Sequence, residues 1–242
     1  MIDVLIVGGT WAPHGHPVTD AFAQALDPSR FSTRMVPYPA DYGRQTAFAD
    51  SRAAGTAALI EAVHGTGNRV VLAGYSQGAI IAGDLAAEIG QGLRPEMEVL
   101  ACALIADPLR PAGRFLDPDP GGYGIAGERH IESVPTYWSA APGDPITALP
   151  PGNPLRSIAD LSQYFTLTGP EAVLRWGQSL VDVAIQRQMQ DWWSPENFQS
   201  WGGAIAFARG YLLDGRHTDD YVRFGHAARL GEVINNAVLV DA

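Results

Sequence analysis

Residues 69–90 read RVVLAGYSQGAIIAGDLAAEIG, an apolar run followed by a glycine-flanked serine and a second apolar stretch. The run at 69–73 predicts a buried strand, and the stretch after the second glycine predicts a helix. Gly74 and Gly78 stand where larger side chains would collide in a tight turn. The segment therefore predicts a sharp strand–turn–helix connection that lifts the hydroxyl of Ser76 clear of the sheet edge.

Strands and helices alternate on both sides of this stretch. Continuous apolar runs predict strands, and apolar residues at helical spacing predict the helices between them. The expected strands are 2–7, 31–36, 98–106 and 135–140, and the expected helices are 18–26, 47–64 and, with a short tail, 219–240. This order predicts an α/β fold with a central, mostly parallel sheet flanked by helices.

The alternation stops over residues 153–214, which contain no convincing strand. Connections of this length usually carry a function of their own, so we expect a helical insertion, or cap, within a single domain of 242 residues. The segment is rich in aromatic residues, which would either pack the cap onto the core or bind long acyl chains. The candidate substrate contacts are Trp11, Trp192, Trp193 and Trp201.

Composition narrows the functional classes. Hydrophobic residues make up 46% and charged residues 17% of the chain, as in a globular protein. The net charge of −10 disfavours binding to nucleic acid or to anionic lipid, and leaves neutral esters, sugars and lipids as substrates. No apolar run is long enough for a transmembrane segment. The single cysteine, Cys102, excludes an intramolecular disulfide.

Ser76 needs a base and an orienting acid to act as a nucleophile. In a strand–turn–helix site of this kind the acid follows the serine, and the histidine follows the acid. Asp107 and Asp144 each end a late strand. Asp144 follows the second strand after the serine, where the acid usually lies, and Asp107 before a proline is typical of turn chemistry. We therefore expect Asp144 to be the acid, with Asp107 as the alternative.

The base must lie beyond Asp144, which leaves His217 and His226. His217 lies in the polar loop GRHTDDY, and loops at the carboxyl edge of a sheet position catalytic bases well. His226 lies within a predicted helix, where a packing or surface role is more common. We therefore expect His217 to be the base.

The oxyanion of an acyl-transfer reaction needs two backbone amides. The expected donors are the amide of Gln77, next to the serine, and the amide of Thr10, after the glycines at 8–9. No phosphate-binding glycine motif follows these glycines. His14 and His16 stand two apart, but no further metal ligands cluster near them, so we expect no metal and no cofactor.

Four motifs together resemble the cutinase-like serine esterases of the α/β-hydrolase superfamily: GGT at 8–10, GYSQG at 74–78, GDP at 143–145 and HxxxY at 217–221. The stretch GGYGIAG at 121–127 and the long segment before His217 resemble more closely the lysin B esterases of actinobacteriophages. On this resemblance Ser76, Asp144 and His217 take the triad positions.

The resemblance implies hydrolysis of the ester that joins mycolic acids to arabinogalactan during phage-induced host lysis. It further implies a protein made in the host cytoplasm that acts at the cell envelope, and the N-terminus lacks the basic region and cleavage site of a signal peptide. Two alternatives remain open. One is a cutinase-like lipase or carboxylesterase without cell-wall specificity, and the other is a non-catalytic wall-binding module. The sequence leaves the oligomeric state open.

Overall fold

A computed structural model describes residues 1–41, 45–116, 118–153 and 215–238. Within these residues the strands are β1 Ile2–Val7, β2 Phe31–Met35, β3 Arg69–Tyr75, β4 Ala101–Ile105 and β5 Thr136–Ser139. The helices are α1 Pro17–Gln24, α2 Phe48–His64, α3 Gln77–Gly90, α4 Asp219–Arg223 and α5 His226–Ala237. The predicted α/β architecture is confirmed. From residue 154 onward, the expected helical insertion lies outside the described residues.

The strands form one parallel sheet in the order β2-β1-β3-β4-β5. The chain moves from β1 to one side for β2 and then to the other side for β3. Strands β1 and β3 are thus neighbours, with Val7 paired to Gly74, and their carboxyl ends meet where the strand order reverses. Ligands of open α/β sheets bind at such a point.

Each face of the sheet is covered by helices, because the strands bury side chains in both directions. Val4 of β1 packs on one face with Phe22 of α1 and Leu230 of α5. Leu5 packs on the other face, where Leu59 of α2 joins the same apolar cluster as the side chains of α3. No helix among the described residues is both long and apolar enough to cross a membrane.

The C-terminal region differs from the single predicted helix. Gly225 separates α4 from α5 and adopts a left-handed conformation with φ of 72° and ψ of 17°. Glycine reaches this conformation without the steric penalty that a side chain adds. The break separates Tyr221 of α4 from Leu230 of α5, and both side chains are buried in the same apolar cluster.

Candidate active site

Ser76 lies in the sharp turn between β3 and α3, with φ of 55° and ψ of −116°. The turn requires its two glycines, because a Cβ on Gly74 would lie 2.2 Å from the carbonyl oxygen of Gly78. A Cβ on Gly78 would lie 2.1 Å from the carbonyl oxygen of Val7. The Ser76 amide donates to the carbonyl of Ile105 at 2.9 Å, which ties the turn to β4. The surrounding backbone thus holds the serine in a strained conformation.

The imidazole of His217 lies between Ser76 and Asp144. Its Nε2 is 2.8 Å from Ser76 Oγ, and its Nδ1 is 3.1 and 3.0 Å from the two carboxylate oxygens of Asp144. An ionised carboxylate only accepts hydrogen bonds, so the proton of the neutral ring belongs on Nδ1 and Nε2 accepts from the serine hydroxyl. The structure therefore brings together the three residues that the sequence proposed as nucleophile, acid and base.

Asp144 is fully buried, and three groups form hydrogen bonds with its carboxylate. The Ile146 amide donates to Oδ1 at 2.9 Å, and the Tyr221 hydroxyl donates to Oδ2 at 2.7 Å, alongside the ring of His217. Tyr221 Oη also accepts from the Ala141 amide at 3.0 Å. Burial and the adjacent carboxylate raise the pKa of Tyr221 well above its usual value, so the phenol remains a donor.

His217 is also held through Tyr75, a residue that the sequence reasoning did not identify. The Tyr75 hydroxyl donates to the carbonyl of His217 at 2.8 Å, and the two rings stack with centroids 5.5 Å apart. His16 stacks against Tyr75 at 5.1 Å, and its Nδ1 accepts from the Val18 amide at the start of α1. The position of Tyr75 next to the serine was the available signal, but stacking depends on the folded geometry.

The two residues whose amides are the expected oxyanion donors, Thr10 and Gln77, are joined by their side chains. Thr10 Oγ1 donates to the side-chain oxygen Oε1 of Gln77 at 3.2 Å. Gly9 lies close against the turn between β3 and α3. A Cβ on Gly9 would lie 2.8 Å from the Tyr75 ring and 3.4 Å from Ser76 Cβ. The structure thus places the N-terminal glycine loop beside the nucleophile.

Asp107, the alternative acid, points into a different network. Its Oδ1 accepts from the Leu109 amide at 3.0 Å, which is the expected turn. Its Oδ2 pairs with Arg129 at 2.7 Å and accepts from Trp138 Nε1 at 3.0 Å. Burial raises the pKa of Asp107, and Arg129 opposes that shift. Turn chemistry is therefore only part of its role, because it also anchors a buried ion pair.

The loop that carries Asp144 is tied to the loop after β4 by Arg110, which is fully buried. Within the part of the chain that the structure describes, its guanidinium donates to backbone carbonyls, those of Pro111, Arg114, Gly121, Gly122 and Thr147. Two of these carbonyls belong to the GGYGIAG stretch at 121–127. This stretch therefore lies beside the Asp144 loop, and Arg110 connects the two.

The remaining candidates take different places. Trp11 is 50% exposed, and its indole donates to Asp41 Oδ1 at 3.3 Å. Trp192, Trp193 and Trp201 lie outside the described residues. His226 is buried at the start of α5, where its ring meets Tyr221 edge-on. Within the described ranges, no three His, Cys, Asp or Glu side chains are grouped to hold a metal ion.

Comparison with known proteins gives two sequence matches. A model of the PE-PPE domain matches residues 30–130, a span that contains the serine turn. The carboxylesterase Culp6 homolog of Corynebacterium glutamicum is 31% identical over 139 residues. That match covers 46% of this chain and 45% of the relative, so the chain spans less than half of the curated protein it matches.

Solved structures extend the likeness over nearly the whole chain. Lysin B from Mycobacteriophage D29 aligns over 95% of this chain and 98% of its own, with a TM-score of 0.54 and 18% identity. A cutinase-like protein from Cryptococcus sp. aligns over 88% of this chain and 95% of its own, with a TM-score of 0.43 and 18% identity. The predicted resemblance to lysin B is confirmed for the fold.

Proposed function

We propose that the chain is a serine carboxylic ester hydrolase in which Ser76 is the nucleophile, His217 the base and Asp144 the orienting acid. The observation that carries this proposal is the 2.8 Å contact between His217 Nε2 and Ser76 Oγ, with Asp144 on the opposite ring nitrogen. A nucleophile, a base and an orienting group in hydrogen-bond contact are what acyl transfer requires.

The reaction has two halves. Ser76 Oγ attacks the ester carbonyl while His217 Nε2 takes the hydroxyl proton, and Asp144 stabilises the imidazolium that forms. The carbon–oxygen bond to the alcohol then breaks, and His217 returns the proton to the leaving alcohol. A water molecule gives a proton to His217 and attacks the acyl carbon. The bond between the acyl carbon and Ser76 Oγ then breaks, the acid leaves, and His217 returns the proton to Ser76 Oγ.

The oxyanion of both tetrahedral intermediates needs fixed donors that are not engaged elsewhere. We assign this role to the amides of Gln77 and Thr10. Gln77 is the first residue of α3, so its amide belongs to the helix end that carries unsatisfied donors and a partial positive charge. Thr10 lies beside Gln77 through their side-chain hydrogen bond.

The test of this activity is hydrolysis of p-nitrophenyl butyrate. We expect Ser76→Ala to lower kcat by at least about 10³-fold, because no other group replaces the nucleophile. Ser29→Ala serves as the matched control, since Ser29 is exposed and, among the described residues, its hydroxyl bonds to Asp27 two positions away. Wild-type rates in Ser76→Ala, or failure of a fluorophosphonate probe to label Ser76, would contradict the assignment and favour a binding module.

We propose that the natural substrate is the ester between mycolic acid and arabinogalactan, cleaved at the host cell envelope during phage-induced lysis. The likeness to lysin B across 95% of the chain supports this choice over other esters. The measurement is mass spectrometry of lipids released from purified mycolyl-arabinogalactan. Release of free mycolic acid by the wild type and not by Ser76→Ala is the expected result. Hydrolysis of p-nitrophenyl esters alone would favour a cutinase-like lipase without cell-wall specificity.

The aromatic residues Trp11, Trp192, Trp193 and Trp201 are proposed to bind the acyl chain. If they do, alanine at each position should raise KM for p-nitrophenyl palmitate more than for the butyrate, because the longer chain buries more apolar surface. Leu93→Ala is the control, since Leu93 is 65% exposed beyond the far end of α3. Equal effects on both esters would contradict an acyl-binding role.

A further inference from the structure

The side chain of Gln77 is 2% exposed and bonds to three separate segments of the chain. Its Oε1 accepts from Thr10 Oγ1 at 3.2 Å, in the loop after β1. Its Nε2 lies 3.3 Å from the carbonyl oxygen of Asp41 and 3.2 Å from Ser51 Oγ. The residue that follows the nucleophile therefore joins the glycine loop to the loop after β2 and to α2.

The two groups beyond Gln77 are themselves firmly held. Ser51 is fully buried in α2, and its Oγ accepts from the Asp41 amide at 2.9 Å. The Asp41 carboxylate accepts from the Trp11 indole at 3.3 Å and from the amides of Gln45 and Thr46 at 2.5 and 2.7 Å. Both Thr10 and Trp11 are thus connected to Asp41, one through Gln77 and the other directly.

We propose that the side chains of Thr10, Ser51 and Gln77, together with the backbone of Asp41, form an oxyanion clamp, which holds the Thr10 amide at a fixed distance from the Gln77 amide. Gln77 then acts twice, as a donor through its backbone and as a positioning residue through its side chain. This inference rests on the proposed function, because it concerns the oxyanion of that reaction.

The physical reason is preorganisation. Thr10 lies in a loop outside any helix or strand, whereas Gln77 begins a helix next to the nucleophile. Donors stabilise an oxyanion best when they are already in place, and a small displacement lowers the rate sharply. One side chain that links the loop to the helix sets the separation of the two amides.

The role of the Thr10 hydroxyl follows from the same contact. Its proton is donated to Gln77 Oε1, so the hydroxyl links the loop to α3. Serine at position 10 keeps this donor, and valine removes it while keeping the shape of the side chain. The two substitutions therefore separate the hydrogen bond from the packing of the residue.

The test compares Thr10→Val, Thr10→Ser, Gln77→Met and the double variant Thr10→Val/Gln77→Met with the full-length wild type. With p-nitrophenyl butyrate, we expect Thr10→Val and Gln77→Met to lower kcat by about tenfold or more with little change in KM. Thr10→Ser should retain kcat within about threefold. The double variant should lose no more than the more affected single variant, because both remove the same bond.

A second readout detects the oxyanion itself. A trifluoromethyl ketone forms a tetrahedral adduct with the serine, so its Ki should rise in each variant by the same factor by which kcat/KM falls. Thr136→Val is the matched control, because Thr136 lies at the amino end of β5, away from the carboxyl ends that carry the site, and its Oγ1 bonds to the Val134 carbonyl. Its kcat and Ki should match those of the wild type.

The possible failures are distinguishable. An active wild type, with wild-type kcat and Ki in Thr10→Val, overturns the clamp and leaves the proposed function intact. A wild type with no esterase activity overturns both. If Gln77→Met does not fold, Thr10→Val and Ser51→Ala decide the question through kcat and Ki, since each removes one contact of the same clamp.

Discussion

The Tyr221 hydroxyl connects the acid of the site to the end of β5, because it donates to Asp144 and accepts from the Ala141 amide. It lies four residues after His217, and the turn that begins α4 places both side chains on the same carboxylate. The phenol therefore stabilises the negative charge of Asp144 and its orientation.

At this scale we expect Tyr221→Phe to lower kcat by about tenfold with a smaller change in KM, because Asp144 loses a donor and the Ala141 amide loses its acceptor. The ring stays in place, so the stability loss should be about 1–3 kcal/mol. Kinetics with p-nitrophenyl butyrate and urea unfolding measure both effects. Tyr137→Phe is the control, since the Tyr137 hydroxyl bonds to no described residue. Unchanged kcat in Tyr221→Phe would contradict a positioning role.

The residues nearest the reaction could be predicted from the sequence, and the residues that hold them in place could not. Ser76 stands in a glycine-flanked motif between a strand and a helix. Chain order narrowed the candidates for acid and base, and strand position and loop position then selected Asp144 and His217. Asp107 was interpreted as a turn residue or, as the alternative, the acid, because nothing near it in sequence indicates Arg129 or Trp138 as its partners.

At the scale of elements, the loop after β4 meets the loop after β5, which carries Asp144. Tyr123 and Leu149 pair their backbones in antiparallel fashion, and Arg110 adds a side-chain anchor between the same two loops. Five carbonyls from the loops after β4 and β5 converge on one buried guanidinium. Arginine suits this role because its planar fork offers five donors in fixed directions.

We expect Arg110→Met to lower the free energy of unfolding by about 3 kcal/mol or more, because it leaves several buried carbonyls without donors. The activity should fall as well, since Thr147, three residues from Asp144, loses its anchor. Urea unfolding and esterase kinetics measure these changes. Arg34→Met is the matched control, because Arg34 donates to one carbonyl at an exposed position. Equal stability losses in the two variants would contradict the proposed role of Arg110.

At the scale of the whole molecule, stability and the site are coupled through His16. Burial, and then the nearby His217, lower the pKa of His16 below its usual value of 6.5, while Asp20 and Asp219 oppose the shift. Well above pH 6.5 the residue is neutral in both states and its contribution is constant. As the pH falls below that value, the unfolded chain takes up the proton first, so the folded state loses stability.

His16→Asn removes this titration and keeps a side-chain acceptor for the Val18 amide at the start of α1. We expect the wild type to lose more stability than the variant between pH 7 and about pH 5, with parallel behaviour above pH 7. Urea unfolding over a pH series gives the difference directly, since the other titrating groups are common to both proteins. Parallel curves over the whole range would contradict the coupling.

The amino-acid sequence alone determined three features. The parallel sheet follows from the hydrophobic periodicity, and the serine turn follows from glycines at positions where a side chain would collide. The order of acid and base follows from chain order. The division of the C-terminal helix at Gly225 was within reach of the sequence but was not predicted. Only the tertiary structure decided how Gln77 reaches Thr10, Asp41 and Ser51, and which carbonyls surround Arg110. Those contacts join residues far apart in the chain, and their partners are set by how the loops meet at the edge of the sheet.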